Sequence, residues 1–193
     1  MIGAGPVRLA KDLIKYNHML RALAQREVAS MYVGSFLGFI WTFIQPAVMI
    51  LVFWFVFSVG FRAKPQNDVP FVVWLTSGMA PWFAFAAIVT STSSVIIQYS
   101  HLIKKTVFPS QILVVVKIMS NLVGHCAFVF LLILLIIFNG MPVSVYYFQA
   151  IYYLICLLVL VSGIGWLVSS LNVYARDVGQ LVPVIIQVGF WGS

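Results

Sequence analysis

Long stretches without a charged side chain are the feature that most constrains this sequence. Residues 31–61, 71–99 and 146–171 contain no Asp, Glu, Lys or Arg, and residues 109–138 contain a single lysine, Lys117. A helix of about 20 apolar residues crosses the hydrocarbon core of a bilayer, so each run is long enough to span. Only 8% of the residues are charged, against roughly 25% in a soluble domain. The sequence therefore predicts an all-α integral membrane protein.

The residues before the first apolar run have the pattern of an amphipathic helix. Leu13, Leu20 and Leu23 recur at helical spacing, while the basic residues fall mostly on the other side. We therefore predict a cytoplasmic interface helix within residues 1–30, lying in the plane of the membrane surface. A helix packed on the rest of the protein is compatible with the same pattern. The candidate functional residues of the interface helix are Arg21, Arg26 and Glu27.

The remaining residues, 31–193, are predicted to form a bundle of transmembrane helices. The expected spans are about 31–61, 71–99, 109–138, 146–171 and 181–193. The last segment is too short to cross a bilayer, so we expect four complete spans and an incomplete fifth.

Glycine and proline predict local features within these spans. Gly34 and Gly38 form a G-x-x-x-G pair that would allow close helix approach. Pro46 is expected to kink the first span and Pro81 to interrupt the second. In the fourth span, close-packing positions are predicted at Gly163, Gly165, Ser169 and Ser170.

The positive residues are distributed unevenly between the two sides of the predicted bundle. The breaks after the second and fourth runs contain Lys104, Lys105 and Arg176, on the same side as the basic N-terminal helix. The opposite side has only Arg62 and Lys64, so the N-terminus is predicted to be cytoplasmic.

The net charge of +7 fits an anionic membrane surface as the partner of the basic residues. Nucleic acid is excluded as a partner because the basic residues flank apolar segments.

The break between the second and third runs, "SHLIKKTVFPSQ", is short and has an unusual composition. Leu102, Ile103 and Phe108 accompany the two lysines, Lys104 and Lys105, and Pro109 is placed to open the next helix. A loop that only reverses the chain can be more polar than this. A mixed apolar and basic turn at the cytoplasmic surface predicts a contact with another protein, although two lysines that only set the topology would explain the charge.

Polar residues within the third run share one helical face. Lys117, Asn121 and His125 are spaced by four residues. Charged groups at such depth usually face a cavity or a partner, so a place along a translocation path is one interpretation. Contacts that hold helices together are the other, and they are favoured for Asn121 and His125.

The sequence lacks the common motifs of catalysis. It contains no H-E-x-x-H, no G-x-S-x-G and no phosphate-binding glycine loop of the Walker A type. The chain cannot hydrolyse ATP by that last route. Cys126 and Cys156 lie in apolar runs and are predicted to be buried and unpaired.

Four stretches, taken in order, resemble the permease subunits of ATP-binding-cassette polysaccharide exporters, a type-2 exporter family. They are "YVGSFLGFIWTFIQP" (32–46), "LTSGMAPWFAF" (75–85), "HLIKKTVFP" (101–109) and "LNVYARDVGQLVPVIIQ" (171–187). They occur in the expected order and are distributed along nearly the whole chain. The resemblance implies export of lipid-linked polysaccharide, of the O-antigen, capsule or teichoic acid type, across the bacterial inner membrane. It also implies a sixth span.

The resemblance further implies an assembly in which this chain is a transport subunit and not an enzyme. A second copy would complete a homodimer, and two nucleotide-binding subunits would supply the energy. ATP and Mg²⁺ would be bound by those subunits, and this chain would bind no cofactor or metal.

The resemblance also implies roles for particular residues. The turn between the second and third spans would be a coupling helix that docks on the ATPase, formed by His101, Leu102, Ile103, Lys104, Lys105, Phe108 and Pro109. A second coupling turn or cytoplasmic gate would contain Arg176 and Asp177. The candidate residues of the substrate path are Trp41, Phe43, Trp54, Lys117 and Asn121. The aromatic residues of this set also fit an interfacial belt.

Two alternatives remain at the level of the sequence. One is a type-2 exporter of drugs or lipids with the same architecture. The other is an integral-membrane enzyme of glycan assembly, which would need clustered acidic or histidine residues at the membrane surface.

Overall fold

The computed structural model describes residues 6–62, 69–105, 109–142 and 144–192, with the backbone alone for residues 6–10 and 105. These residues are mostly helical and include no strand. The helices are α1 (Pro6–Lys15), α2 (Asn17–Tyr32), α3 (Trp41–Trp54), α4 (Phe71–Ser93), α5 (Val95–Gln98), α6 (Ser100–Lys105), α7 (Gln111–Phe138), α8 (Gln149–Tyr174) and α9 (Val178–Gly192).

Four helical stretches in the described residues are long and apolar enough to cross a membrane. These are Gly38–Gly60, Phe71–Ser93, Gln111–Phe138 and Val145–Tyr174, named here spans one to four. Span one joins a 3₁₀ turn, α3 and a terminal π-helical turn, and span four joins a 3₁₀ turn to α8. The prediction of an all-α membrane protein is confirmed, and α9 is a shorter apolar helix.

The pair Gly34 and Gly38 does not serve close helix packing, so that prediction is wrong. Both residues have positive φ, +79° and +50°, and lie between α2 and α3, where Gly38 is the first residue of span one. A Cβ at either position would meet no other atom within 4 Å. Glycine is suited to these positions because it adopts left-handed backbone conformations without steric cost.

Pro81 does not interrupt the second span, which continues through it as the single helix α4. The helix ends instead at Ser93, and Ser94 adopts a non-helical conformation before α5 begins. The hydroxyls of Ser91, Thr92 and Ser93 all donate hydrogen bonds to backbone carbonyls three or four residues earlier. Such bonds compete with the helical ladder and favour bending, which accounts for a helix end before Tyr99.

The chain forms two compact units, and the first contains residues 1–31, 85–121 and 158–193. Its core is apolar, with fully buried Ile88, Ile112 and Val161 and buried Leu20 and Leu23 from α2. The periodic leucines therefore pack α2 on the protein, whereas its place in the membrane interface stays a prediction.

The first unit also contains a tight glycine contact. A Cβ at Gly165 would lie 3.0 Å from Val114 Cγ1 and 3.1 Å from Thr92 Oγ1. The predicted close packing is confirmed at Gly165. It is wrong at Gly163, where a Cβ would meet nothing within 4 Å.

The second unit contains residues 32–84 and 122–157. Its core is formed by Ile50, Met79, Ala80 and Phe128. Cys126 and Cys156 lie in this unit as exposed free thiols, so the prediction that they are buried is wrong. A span that is apolar on every side gives no sign of which face is interior.

Candidate functional site

A buried ion pair joins α2 to span three within the first unit. The Lys117 Nζ donates a hydrogen bond to Glu27 Oε1, and the two side chains are only 8% and 14% exposed. The residues are ninety positions apart in the sequence. Because an isolated charge is costly in an apolar environment, each of these groups depends on the other.

The second oxygen of Glu27 is bound by Tyr99, which lies between α5 and α6. The Tyr99 hydroxyl donates to Glu27 Oε2 at 2.5 Å. The backbone carbonyl of Tyr99 accepts the amides of Leu102 at 3.0 Å and Ile103 at 3.1 Å. Tyr99 therefore starts helix α6 with its main chain and binds α2 with its side chain.

The electrostatics of this cluster keep Glu27 ionised and Tyr99 neutral. Burial alone raises the pKa of Glu27, but the hydrogen bonds from Lys117 and Tyr99 and the charges of Lys117 and Arg26 outweigh it, so the pKa is lowered. Burial, followed by the hydrogen bond and charge of Glu27, raises the pKa of Tyr99 to about 12. At neutral pH the carboxylate thus accepts two hydrogen bonds.

The predicted coupling turn forms the short helix α6, Ser100–Lys105. His101 and Lys104 are exposed, whereas Leu102 and Ile103 are half-buried. The side chain of Lys105 and residue Phe108 lie outside the described residues. Helix α6 thus presents basic side chains to the surroundings next to partly accessible apolar ones, the mixture found in protein interfaces.

Pro109 lies in the turn just before span three, and α7 begins at Gln111. The Pro109 carbonyl accepts the amide of Ile112 at 3.1 Å. Its missing N–H therefore costs nothing at this place.

The second predicted turn connects α8 to α9 and exposes both Arg176 and Asp177. The Asp177 carbonyl accepts the amides of Gln180 at 3.0 Å and Leu181 at 2.9 Å, which starts α9. The aspartate thus contributes through its main chain to the helix that follows.

Asn172, at the same end of α8, ties three elements of the first unit together. Its Nδ2 donates to the carbonyl of Ser93 at 2.9 Å, and its Oδ1 accepts the amide of Gly179 at 2.9 Å. Asn172 is only 2% exposed. One buried amide therefore links the end of α4, the end of α8 and the start of α9.

Asn121 forms contacts between spans two and three. Its Nδ2 donates to Ser91 Oγ at 2.8 Å and to the carbonyl of Lys117 at 2.7 Å. These bonds agree with the helix-packing interpretation of Asn121. The roles of Lys117 and Asn121 along a substrate path stay predictions.

Comparison with known proteins identifies the family. Residues 18–193 match the ABC-2 type transporter family. This chain belongs to that family. It is therefore the membrane subunit of an ABC transporter, which confirms the prediction of a transport subunit rather than an enzyme. The family also implies an ATPase partner.

Individual relatives of this permease carry a more specific name. The O-antigen export system permease protein RfbA of Myxococcus xanthus is 30% identical over 191 residues, which cover 97% of this chain and 71% of the relative. A protein of the same name from Klebsiella pneumoniae is 24% identical over 184 residues, covering 92% and 70% of the two chains. These matches support the resemblance inferred from the four sequence stretches.

The aromatic residues predicted for the substrate path of the permease lie in the second unit. Trp41 and Trp54 are exposed, and Trp54 lines an apolar groove of about 330 Å³. Phe43 packs edge-on against Phe39 and Phe130, with ring centroids 5.8 and 5.9 Å away. Their role in transport stays a prediction.

The sequence did not indicate the contacts of Tyr99, Asn172 and Gly179. Tyr99 and Asn172 bind residues 72 and 79 positions away, and such contacts leave no periodic pattern. Gly179 binds Asn172 across a turn, seven positions away. For Tyr99 the available signal was its place directly before the predicted coupling turn. For Asn172 it was a lone amide at the end of an apolar span, where a polar group needs a partner.

Proposed function

We propose that this permease exports a lipid-linked polysaccharide of the O-antigen type across the bacterial inner membrane. Two copies would enclose the path, and each would bind one ATPase subunit. ATP and Mg²⁺ would be bound by the ATPase subunits, so this chain itself would need no cofactor. The N-terminus, α6 and the turn at Arg176–Asp177 would face the cytoplasm.

The observation that carries the proposal is the match to proteins named as O-antigen export permeases over nearly the whole chain. All three relatives bear that name, and they cover 92–97% of this sequence. No feature of the described residues favours a drug or lipid as cargo.

Helix α6 supports the proposed contact with the ATPase. It joins the exposed Lys104 to the half-buried Leu102 and Ile103 within six residues. Lysine side chains at the rim of a contact steer association with an acidic surface, while Ile103 would fill an apolar cleft.

The distribution of positive charge supports the proposed orientation. Lys104, Lys105 and Arg176 lie in the connections after spans two and four, which share one side of the membrane when each span crosses it once. Short loops rich in lysine and arginine remain on the cytoplasmic side.

The first test is co-purification of the complete permease with a candidate ATPase subunit, comparing wild type with Lys104→Glu/Lys105→Glu. We expect charge reversal to abolish the complex while membrane insertion is retained. Lys104→Arg/Lys105→Arg is the matched control, and it should bind normally because the charge is kept.

The cargo is tested in cells that lack the gene. We expect loss of surface polysaccharide with intracellular accumulation of its lipid-linked form, restored by wild type and not by the charge-reversed variant. Unchanged surface polysaccharide in the deletion strain would refute the proposed cargo. A complex unaffected by charge reversal would refute α6 as the docking element.

A further inference from the structure

The carboxylate of Glu27, on α2, connects the start of the proposed docking turn to span three. One oxygen binds Lys117 in span three and the other binds Tyr99 at the start of α6. The three residues all lie in the first unit. The inference below rests on the proposed function, because it takes α6 to be the element that the ATPase moves.

Stability alone is a poor reason for this arrangement. Removing two charges from water costs several kcal/mol per ion, and well-packed apolar residues often stabilise a core as well as or better than a buried ion pair. The surroundings offer apolar packing in abundance, with Leu23, Ala24, Val114 and Val116 all buried in the same unit. A buried charged pair in such a setting calls for a role that apolar packing cannot perform.

Unlike apolar packing, the hydrogen bonds of Glu27 fix the direction of the contact. Apolar side chains slide past one another at little cost, whereas a charged hydrogen bond requires a fixed distance and angle. Tyr99 is held to α6 by two main-chain hydrogen bonds. A displacement of α6 therefore displaces the Tyr99 side chain, and its hydroxyl is tied to Glu27.

We propose that Tyr99, Glu27 and Lys117 form a coupling triad that transmits the movement of α6 to α2 and to span three. They are positioning residues, because the hydrogen bonds described for their side chains are with one another and none is required to touch ATP or the glycan. In this proposal Lys117 is the residue through which Glu27 moves span three.

The protonation states suit this role. At the pH of the cytoplasm Glu27 is ionised and Tyr99 is neutral, because the pKa of the first is lowered and that of the second is about 12. The Glu27 carboxylate can therefore accept both hydrogen bonds at that pH.

The decisive variant removes both charges together. Glu27→Gln/Lys117→Met leaves no unpaired buried charge, so the protein should still fold. It removes the strong directional contact between α2 and span three. The matched control is Gln25→Ala, at an exposed position of α2 two residues away.

Movement of span three can be followed without knowing the cargo. Cys126 lies in α7, the helix that contains Lys117, and its thiol is exposed. In a Cys156→Ser background, a spin label on Cys126 of each copy reports the distance between the two copies by electron paramagnetic resonance. The measurement compares the permease–ATPase complex in lipid before and after trapping with ATP and vanadate.

We expect wild type and Gln25→Ala to show an ATP-dependent change in the label distance. In Glu27→Gln/Lys117→Met the change should be lost, while co-purification with the ATPase and basal ATP hydrolysis are retained. Tyr99→Phe, which removes a single hydroxyl, should reduce the change, whereas Tyr152→Phe at an exposed tyrosine should not.

Two results would overturn the triad. One is a distance change in the double variant equal to that of wild type. The other is a wild-type complex that binds ATP and shows no change at Cys126. Failure of the wild-type chain to bind an ATPase at all is a different result, because it refutes the proposed function and the inference with it.

Discussion

Gly179 lies so close to Asn172 that a side chain at position 179 would collide with it. A Cβ there would lie 3.0 Å from both Nδ2 and Oδ1 of Asn172. The same amide accepts the Gly179 N–H and donates to the Ser93 carbonyl, each at 2.9 Å. The turn that contains Arg176 and Asp177 is therefore closed by a partly buried contact that leaves little room for a side chain at position 179.

The first prediction concerns Gly179→Ala, which should destabilise the permease by about 1–3 kcal/mol, the cost of disturbing buried hydrogen bonds. The Asn172 amide cannot move aside without lengthening one of its two bonds. The measurement is thermal unfolding of the purified protein in detergent. Gly124→Ala is the control, since a Cβ there meets nothing within 4 Å.

A double-mutant cycle identifies the cause of that loss. Asn172→Ala removes the colliding amide, so Gly179→Ala should cost little more in that background. Additive losses in the double variant would show that the collision is not the reason.

The second prediction concerns the stability of the buried pair Glu27–Lys117. Lys117→Met should destabilise the protein by about 3–5 kcal/mol, because it leaves the Glu27 charge buried without its partner. Glu27→Gln/Lys117→Met should recover most of this loss, and the two variants can be compared by thermal unfolding. A double variant as unstable as Lys117→Met would contradict the assignment of the cost to an unpaired charge.

The third prediction is a dependence of stability on pH in the acid range. The pKa of Glu27 is lowered below its ordinary value of 4.5, so the folded state holds the proton less tightly than the unfolded state. The stabilisation is therefore present above pH 4.5 and is lost as the pH falls through the lowered pKa. Thermal unfolding should show a constant difference between wild type and Glu27→Gln from pH 7 to about pH 5, which narrows at lower pH. A difference that grows on acidification would contradict the sign of the shift.

The spans could be predicted from the sequence because hydrophobic length acts locally. A run without charges, such as residues 146–171, is sufficient to indicate a helix that crosses a membrane. Helix ends were harder to locate. The hydroxyls of Ser91, Thr92 and Ser93 bind backbone carbonyls and compete with the helical hydrogen bonds. The helix of the second span therefore ends before Ser94, although the run without charges continues to Tyr99.

The partners within the candidate site could not be predicted. Glu27 and Lys117 were each selected from the sequence, Glu27 for the interface helix and Lys117 for a substrate path. Residues on one helix reveal their neighbours by spacings of three and four. A pair separated by ninety positions depends on how helices pack, and an apolar sequence that is uniform around each helix does not encode that in its pattern.

The fourth prediction uses two glycines on the same helix, α8, that differ in their surroundings. A Cβ at Gly165 would lie 3.0 Å from Val114 Cγ1 and 3.1 Å from Thr92 Oγ1, whereas a Cβ at Gly163 would meet nothing within 4 Å. Thr92 donates to the carbonyl of Ile88 at 2.8 Å and is fully buried, so its side chain has little room to move.

Gly165→Ala should therefore destabilise the protein by about 1–3 kcal/mol, the usual cost of overpacking. Gly163→Ala should be neutral or stabilising, because alanine favours the helix over glycine. Thermal unfolding of the two variants side by side gives the test, and Gly165→Val should be worse than Gly165→Ala since it adds bulk against the same atoms. Equal melting temperatures for Gly163→Ala and Gly165→Ala would show that α4, α7 and α8 do not pack this closely, and would remove the basis for treating their contacts as a rigid part of the first unit.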